Sequence, residues 1–327
     1  MRDIEQKMRL RAAELLKSGE VVRVIGWTKG EFCYDPSPAV FEREEELSSL
    51  VYNGFCGANL SKYLIEKSKG EGKSAVFLKP CDTYSFNQLL KENRIVREKI
   101  YVIGVECQGK IDVRKLKEGG MSAITDVKED GETITASSLY GDKTFQKDEV
   151  LLERCLTCKS KEFVAADEKI VIREMQIGKY DRFAEVEKLE RMTEDERFAF
   201  WREQLSKCIR CNACRNVCPA CSCIKCVFDN AASGVAAKAN ESEFGENLFH
   251  IVRAYHVAGR CTDCGECSRV CPQSIPLHLL NRKFIKELNT QYGEYQAGES
   301  ADGRHPLIDF KESDPEAKDV VYKEKNE

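Results

Sequence analysis

The chain has 327 residues, of which 42% are apolar and 32% are charged, and its formal net charge is −4. This balance is typical of a globular protein with about two domains, and it excludes the strongly basic surface that draws a chain to nucleic acid. The N-terminus lacks the apolar core of a signal peptide, and no run of about eighteen apolar residues occurs. We therefore expect a cytoplasmic protein without a membrane span.

Short apolar runs that alternate with helical patterns characterise the first half of the chain. Buried strands that alternate with helices indicate a mainly parallel sheet. Residues 1–175 are thus predicted to form an α/β domain with such a sheet and with β-hairpins. The predicted elements are helices over 1–17, 59–68 and 83–92, strands over 21–27, 75–78 and 100–105, a loop over 28–49 that contains Pro36 and Pro38, and β-hairpins within 120–150.

The second half is predicted to be mostly helical, in a domain over 176–295 that is followed by a charged, flexible tail over 296–327. One helix begins at Thr193, because Glu196 stands three residues later and completes a capping box. The other predicted elements are a charged connector over 175–192 and helices over 245–258 and from Pro276 onwards.

Cysteine is the anomalous residue, because 17 copies occur in a chain that we expect in a reducing compartment. Regular cysteine spacings in such a chain indicate metal binding rather than disulfides. Two runs share the spacing CxxCxxCxxxCP, which is that of bacterial two-cluster ferredoxins. They are Cys208, Cys211, Cys214 and Cys218, and Cys261, Cys264, Cys267 and Cys271, each ending directly before a proline.

Each run places three thiolates on one tight loop, where they reach three irons of one 4Fe–4S cubane. The fourth cysteine precedes a helix-breaking proline and turns away to the other cluster. Structural zinc is the alternative for the CxxC pairs, but zinc needs four ligands rather than two repeats of four with a terminal Cys–Pro. The predicted ligands are Cys208, Cys211, Cys214 and Cys271 at one cluster, and Cys261, Cys264, Cys267 and Cys218 at the other.

The N-terminal half contains a further set of cysteines that could hold a third 4Fe–4S cluster. Cys81 and Cys107 each follow a predicted strand, and the ends of parallel strands meet at a sheet edge where ligands bind. Cys155 and Cys158 form a CxxC and complete a set of four. Cys56 is a competing ligand, and the alternative is that some of these cysteines are buried free thiols.

Three cysteines directly after the first run have two interpretations. Cys221, Cys223 and Cys226 either hold another metal or are small buried residues that line the approach to a cluster. The role of Cys33 is also open at this point. The four histidines are scattered along the chain and indicate no site of their own.

Four segments of the N-terminal half resemble one known family. They are LVYNGFCGANLSKYL at 50–64, FLKPCDTYSFNQLLKENRI at 77–95, IYVIGVECQGKID at 100–112 and RCLTCKSKEFVAADEKI at 154–170. These segments are similar to the coenzyme F420 hydrogenase/dehydrogenase beta-subunit family, in its bacterial branch labelled formate dehydrogenase beta subunit. The two ferredoxin-like runs resemble the dicluster half of the same proteins. Archaeal members carry that motif at the start of the chain, so their F420 specificity is not transferred.

The resemblance implies an FAD site beside a cluster in the N-terminal domain, and a role as a subunit of a larger redox complex of anaerobic metabolism. FAD suits such a role because it exchanges electrons between a two-electron carrier and one-electron clusters. The implied partners are a dehydrogenase, a hydrogenase or an NAD(P)-binding flavoprotein, with ferredoxin as a further carrier and an electron-bifurcating assembly as one setting. The residues that we expect at FAD on this basis are Asn53, Gly54, Asn59, Lys79, Asp82 and Thr83.

The sequence therefore predicts an iron–sulfur flavoprotein that acts as an oxidoreductase subunit. The alternative is a flavin-free iron–sulfur conduit with no substrate chemistry of its own. Flavin content separates these two hypotheses.

Overall fold

The structure is a computed structural model that describes residues 2–159, 162–175, 178, 180–230, 232, 243–309 and 311–316. Its strands are β1 (Arg23–Thr28), β2 (Ser37–Phe41), β3 (Ser74–Leu78), β4 (Ile100–Val105), β5 (Ile124–Asp130), β6 (Thr133–Ser138), β7 (Gly141–Gln146) and β8 (Glu168–Ile170). Its α-helices are α1 (Arg2–Lys17), α2 (Leu64–Lys67), α3 (Pro80–Lys91), α4 (Val113–Glu118), α5 (Lys147–Val150), α6 (Glu153–Leu156), α7 (Ala184–Glu190), α8 (Glu194–Ser206), α9 (Ala213–Asn216), α10 (Glu243–His256), α11 (Glu266–Arg269) and α12 (Leu277–Tyr292).

A five-stranded sheet with the order β2-β1-β3-β4-β8 organises the N-terminal half. Strands β1, β3, β4 and β8 are parallel, and β2 pairs antiparallel with β1. The predicted α/β class with a mainly parallel sheet is confirmed. The predicted loop over 28–49 is wrong where β2 forms. Pro38 lies in β2 opposite Trp27, and an edge strand tolerates proline because one of its sides makes no ladder bonds.

The sheet is held by an apolar core that fixes its strand ends. All five residues of β3 are buried, and Met8 and Leu15 of α1 are fully buried in the same cluster as Trp27 and Phe77. Burial of each such side chain stabilises the fold by roughly 1.5–3 kcal/mol. The residues that directly follow β3 and β4 are therefore presented from a rigid scaffold.

Helix α3 begins three residues earlier than the pattern predicted. Pro80 occupies its first turn, where a missing N–H costs nothing, and Lys79 is the N-cap residue. The Asp82 carboxylate accepts the backbone N–H of Lys79 at 3.4 Å. This start brings Cys81 into the first helical turn, beside the end of β3.

The predicted hairpins form a three-stranded antiparallel sheet, β5-β6-β7, with its own core. The β5–β6 turn contains Gly131 with a φ angle of 56°, which glycine adopts without strain. Ile134 and Phe145 pack there against Leu116 of α4. The predicted β-hairpins of the N-terminal domain are thereby confirmed.

The C-terminal half is helical, as predicted. The Thr193 hydroxyl accepts the N–H of Glu196 at 3.3 Å, and the Glu196 carboxylate accepts the N–H of Thr193 at 2.9 Å, which is the predicted capping box. The expectation that 175–192 is only a connector is wrong for α7. Val186 of α7 is buried against Leu279 of α12, so an apolar contact stabilises a helix whose charges suggested a linker.

The first part of the expected flexible tail is packed. Gln296 and Ala297 are buried, and the Lys91 ammonium of α3 donates to the carbonyl of Arg304 at 3.0 Å. Gly298 lies so close to the Tyr84 carbonyl that a Cβ would stand 1.8 Å from its oxygen. These contacts correct the prediction for residues 296–304, whereas 317–327 lie outside the described residues.

Candidate metal centres

The two ferredoxin-like runs form loops of the same backbone shape. Arg210 and Asn212 in the first loop have φ angles of 53° and 61°, and Asp263 and Gly265 at the matching positions of the second loop have 57° and 64°. Left-handed residues turn backbone N–H groups toward the inside of such a loop, where they favour an anion. The Cys208 thiol accepts the N–H of Arg210 at 3.3 Å. The tight loop that the cysteine spacing predicted is present twice.

The fourth cysteine of each run lies beside cysteines of the other run. Cys271 packs in one apolar cluster with Cys208 and Cys214. Cys218 packs in another with Cys261. Cys267 of the second loop also belongs to the apolar group of Cys208 and Cys214. This arrangement places each fourth cysteine beside the opposite run, as the crossed assignment requires, while the ligand roles themselves stay a prediction.

Burial is the largest influence on several of these thiols. Burial, together with neighbouring thiols of both runs and against the opposing effect of Arg253, raises the pKa of Cys214 to about 11. Burial also raises the pKa of Cys264, which has Cys218 as a neighbour. Desolvated thiols of this kind ionise when a metal centre supplies positive charge. Cys211, in contrast, is exposed.

The four cysteines of the predicted third site line a single cavity. Cys81 follows β3, Cys107 follows β4, Cys155 belongs to α6 and Cys158 follows that helix. Thus the two strand ends and the CxxC meet at the carboxyl edge of the parallel sheet, where α/β proteins bind ligands. The residues that line the rest of the cavity include Lys79, Lys110, Arg154, Lys159, Arg182, Thr262, Asp263 and Cys264.

This cavity joins the two halves of the protein, because its wall includes Cys264 of the second ferredoxin-like loop. Cys56, the competing ligand, is fully buried outside the cavity wall. Its thiol accepts the N–H of Asn53 at 3.3 Å and donates to the Val51 carbonyl at 3.7 Å. Cys56 therefore has local bonding that leaves the other four cysteines as the set around the cavity.

Lys79 and Asp82, both predicted at FAD, form a buried ion pair. Both side chains are 1% exposed, and the Lys79 ammonium lies 2.6 Å from the Asp82 carboxylate and 2.7 Å from the Ala58 carbonyl. Burial raises the pKa of Asp82, and the ammonium opposes that rise. In this arrangement Lys79 neutralises Asp82, and its role at a diphosphate stays a prediction.

The other residues predicted at FAD are also bonded within the protein. Asn53 donates to the Cys33 carbonyl at 3.1 Å, Asn59 donates to the Ser85 hydroxyl at 2.9 Å, and Thr83 donates to the Pro80 carbonyl at 2.6 Å. Gly54 is closely packed, because a Cβ there would stand 2.5 Å from Ile111 and from Glu129. Of the six residues, Lys79 lines the cavity of the four cysteines. The contacts of these residues with FAD stay a prediction.

Two buried arginines near the cysteines carry no motif, and the sequence reasoning missed them. Arg154 of α6 donates to Glu266 at 2.8 Å, to the Gly57 carbonyl at 3.0 Å and to the Cys264 carbonyl. Arg253 of α10 is 3% exposed, and its Nε and Nη1 have no hydrogen-bond partner in the part of the chain that the structure describes. Cys214, Cys218 and Cys267 are among the groups around Arg253. In the sequence, the one feature that could draw attention to Arg154 is its position next to Cys155, and no such feature marks Arg253.

Within the described ranges, no three His, Cys, Asp or Glu side chains converge closely enough to hold one metal ion. A cubane binds its thiolates at four separate irons, so those thiolates stand further apart than the ligands of a single ion. None of the described helices combines the length and the apolar composition that a bilayer crossing requires.

The two cysteine loops lie in the part of the chain that matches a known family. A family described as "4Fe-4S dicluster domain" matches residues 204–275, a range that contains all eight cysteines of the two runs. The chain carries a 4Fe-4S dicluster domain. Zinc is thereby set aside for these runs, and the 4Fe–4S prediction is confirmed for the domain as a whole.

Relatives with assigned names cover most of the chain. It is 24% identical to the F420-dependent formate dehydrogenase subunit beta of Methanocaldococcus jannaschii, over 84% of this chain and 87% of that protein. It is 25% identical to the F420-dependent formate dehydrogenase 1 subunit beta of Methanococcus maripaludis, over 85% of this chain and 88% of that protein. The resemblance to the beta-subunit family is thereby confirmed.

A chain of a solved complex, the F420-reducing NiFe hydrogenase from Methanosarcina barkeri, aligns with part of this protein. The TM-score is 0.39 and the identity is 15%, and the match covers 50% of this chain and 63% of that chain. Together, the dicluster domain and the named relatives make this protein an iron–sulfur electron-transfer protein of the oxidoreductase-subunit type.

Proposed function

We propose that this protein transfers electrons through three 4Fe–4S clusters as a subunit of a multi-subunit oxidoreductase. Two clusters belong to a dicluster domain over 176–295, and the third belongs to an α/β domain over 1–175. The observation that carries the proposal is the shared cavity, where Cys81, Cys107, Cys155 and Cys158 face Cys264 of the dicluster domain. Such a juxtaposition gives a continuous route between the halves.

The clusters supply one-electron transfer, and the protein sets their charge environment. Lys110, Arg154 and Arg182 line the cavity of the third site, and cations near a cluster offset the negative charge of its thiolates and sulfides. The Lys110 ammonium is anchored by the Asn53 carbonyl at 2.9 Å. These cations would favour the reduced form of the neighbouring centre.

The proposed partner is a catalytic subunit of the formate dehydrogenase or hydrogenase class, because the named relatives are beta subunits of F420-dependent formate dehydrogenase. Ferredoxin or NAD(P), through a flavoprotein, would then exchange electrons with the complex, and an electron-bifurcating assembly is one form of it. FAD enters the proposal through the family resemblance alone. The six residues expected at FAD remain its proposed contacts, and in the structure they are bonded among themselves and to their neighbours.

The test is the cofactor content of the protein purified without oxygen. The three clusters predict about twelve irons and twelve acid-labile sulfides per chain. Cys81→Ser should remove about four of each and leave the dicluster signals in electron paramagnetic resonance (EPR) spectra. Cys56→Ser, which removes a buried thiol outside the cavity, is the matched control and should keep all of them.

Two results would contradict the proposal. An iron content of about eight that Cys81→Ser does not change would remove the third cluster. Colourless protein without sulfide would remove the redox function altogether. Released FAD of about one per chain would favour the flavoprotein form, and its absence would favour the flavin-free conduit.

A further inference from the structure

The cysteines that follow the first ferredoxin-like run are not used by the proposed function. Cys221, Cys223 and Cys226 line one open cavity, and His256 of α10 lines it as well. Cys221 and Cys226 are half-buried, and Cys223 is exposed. A short CxCxxC loop thus presents three thiols and an imidazole to a common space.

The surroundings of this cavity are cationic. Arg215 pairs with Asp229 at 2.6 Å, and Arg260 pairs with Glu92 at 2.8 Å, so these two charges are compensated. Lys62, which also lines the cavity, donates to the Cys221 carbonyl. No carboxylate that the structure describes is paired with Lys62, and its ammonium remains available to an anionic group.

Arg253 lines the same cavity and lies between it and the dicluster cysteines, since its guanidinium has Cys221 as a neighbour as well as Cys267, Cys214 and Cys218. Its side chain is almost completely buried, yet two of its N–H groups, at Nε and Nη1, have no partner among the described residues. Buried N–H groups of a guanidinium are costly unless an anion accepts them. A negatively charged cluster at the cysteines would be such an acceptor.

We propose that Cys221, Cys223 and Cys226 hold a fourth 4Fe–4S cluster, with His256 as its remaining ligand. Three thiolates on one short loop meet the requirement for three irons of a cubane, and imidazole replaces cysteine at iron in other iron–sulfur centres. A cubane fits better than one zinc ion, because a zinc ion requires ligands that converge within about 2.3 Å of a single point. This site goes beyond the proposed function and does not depend on the third cluster.

The position of the site gives it a distinct place in the electron route. The N–H of Cys221 donates to the Cys218 carbonyl at 3.1 Å, so the new site directly adjoins a cysteine of the dicluster domain. The exposed Cys223 lies on the other side, toward solvent. A cluster here links the dicluster domain to the protein surface, where a one-electron carrier protein can approach.

The first test compares metal content. The double variant Cys223→Ser/Cys226→Ser should lose about four irons and four sulfides per chain relative to the parent, and it should keep the irons of the clusters under the proposed function. The variant should retain the EPR signals of the dicluster domain. Cys33→Ser, which removes a half-buried thiol elsewhere, is the matched control and should keep the full content. Unchanged iron, or the loss of one zinc without iron, would overturn the proposal.

A second variant keeps the proposal testable if the double variant does not fold. His256→Cys should retain the cluster and lower its reduction potential, because imidazole ligation gives iron–sulfur centres higher potentials than thiolate ligation. EPR-monitored redox titration measures this change. Identical spectra and potentials in the variant and the parent would remove His256 as a ligand and overturn the four-ligand site.

Discussion

At the scale of single residues, the cysteines of the third site have buried charged side chains as neighbours. The Lys79–Asp82 pair lies beneath Cys81, and both side chains are almost inaccessible to water. A buried pair adds little stability relative to apolar residues, but one partner without the other is strongly unfavourable. Because each buried charge needs the other, the pair holds the first turn of α3 in place.

This dependence gives a prediction for Lys79→Met. The variant leaves the Asp82 carboxylate buried without its cation, so the free energy of unfolding should fall by about 3–5 kcal/mol and Tm by roughly 10 °C. The double variant Lys79→Met/Asp82→Asn removes both charges and should recover most of that loss. Thermal unfolding followed by circular dichroism measures both. A double variant as unstable as Lys79→Met would show that the carboxylate is not the cause.

His250 gives a prediction about pH. Burial, with Arg253 and Arg210 nearby, lowers the pKa of His250 to about 3 in the folded protein, whereas its ordinary value is 6.5. The folded state thus keeps His250 neutral, while the unfolded chain takes up a proton below pH 6.5. The stability present above that pH is lost as the pH falls from 6.5 toward 3.

The expected loss is about 1 kcal/mol of unfolding free energy between pH 6.5 and pH 5.5. His250→Met removes the titrating group, so this part of the pH dependence should disappear. Comparing the change in Tm of the two proteins across that interval isolates the contribution of His250 from acid effects on the clusters. Equal changes in Tm would mean that His250 does not titrate on unfolding.

At the scale of elements, the two cysteine loops are repeats that exchange their last member. Each loop has left-handed residues at the same two positions, and each is followed by one short helix, α9 or α11, before the fourth cysteine. Because the two short helices contact each other, Cys218 and Cys271 are delivered to the opposite loop. The crossed assignment therefore predicts that each cluster depends on both runs.

The exchange predicts a specific pattern of damage. Cys218→Ser should resemble Cys264→Ser, because both remove a ligand of the second cluster. Cys271→Ser should resemble Cys211→Ser, with loss of up to about four irons in each case. EPR spectra of the reduced proteins compare the variants in pairs. If Cys218→Ser instead reproduced the spectrum of Cys211→Ser, the ligands would not be crossed.

At the scale of the whole molecule, local sequence patterns predict the individual strands and metal-binding loops, whereas contacts between distant residues determine how they pack together. Strands β3 and β4 and the cysteine runs were predictable because apolar runs and ligand spacing are local properties. The strand β2 was missed because Pro38 suggests a loop unless its edge position is known. The packing of Gly298 on Tyr84 was missed because the two residues are far apart in the sequence.

The same limit applies to Lys79 and Asp82, which were predicted at FAD. Lysine and aspartate at a strand end commonly face a bound group, but the sequence does not show that these two pair with each other and that Lys79 donates to the Ala58 carbonyl. The four cysteines predicted at the third site line one cavity, as expected for residues at the ends of parallel strands, which meet at one edge.

Arg154 is the residue through which the two halves of the molecule are coupled, and it gives the last prediction. It belongs to the α/β half, yet it bonds Glu266 and the Cys264 carbonyl of the dicluster domain as well as the Gly57 carbonyl. Although burial disfavours its charge, Arg269 and Arg154 hold the pKa of Glu266 at about 2. Glu266 thus remains ionised, and Arg154 is held between the two halves.

In Arg154→Met, Glu266 keeps Arg269 at 2.7 Å, so the carboxylate stays paired while the bridge to the α/β half is lost. The reduction potentials of the third cluster and of the second dicluster centre should both shift to lower values, because one buried cation near both is removed. EPR-monitored redox titration tests this, with Lys283→Met, which removes an exposed cation paired with Glu190, as the control that should shift neither. A shift in the potential of one centre alone would mean that Arg154 serves that centre and does not couple the halves. If neither potential shifted, the cavity of the four cysteines would hold no cluster under the influence of Arg154.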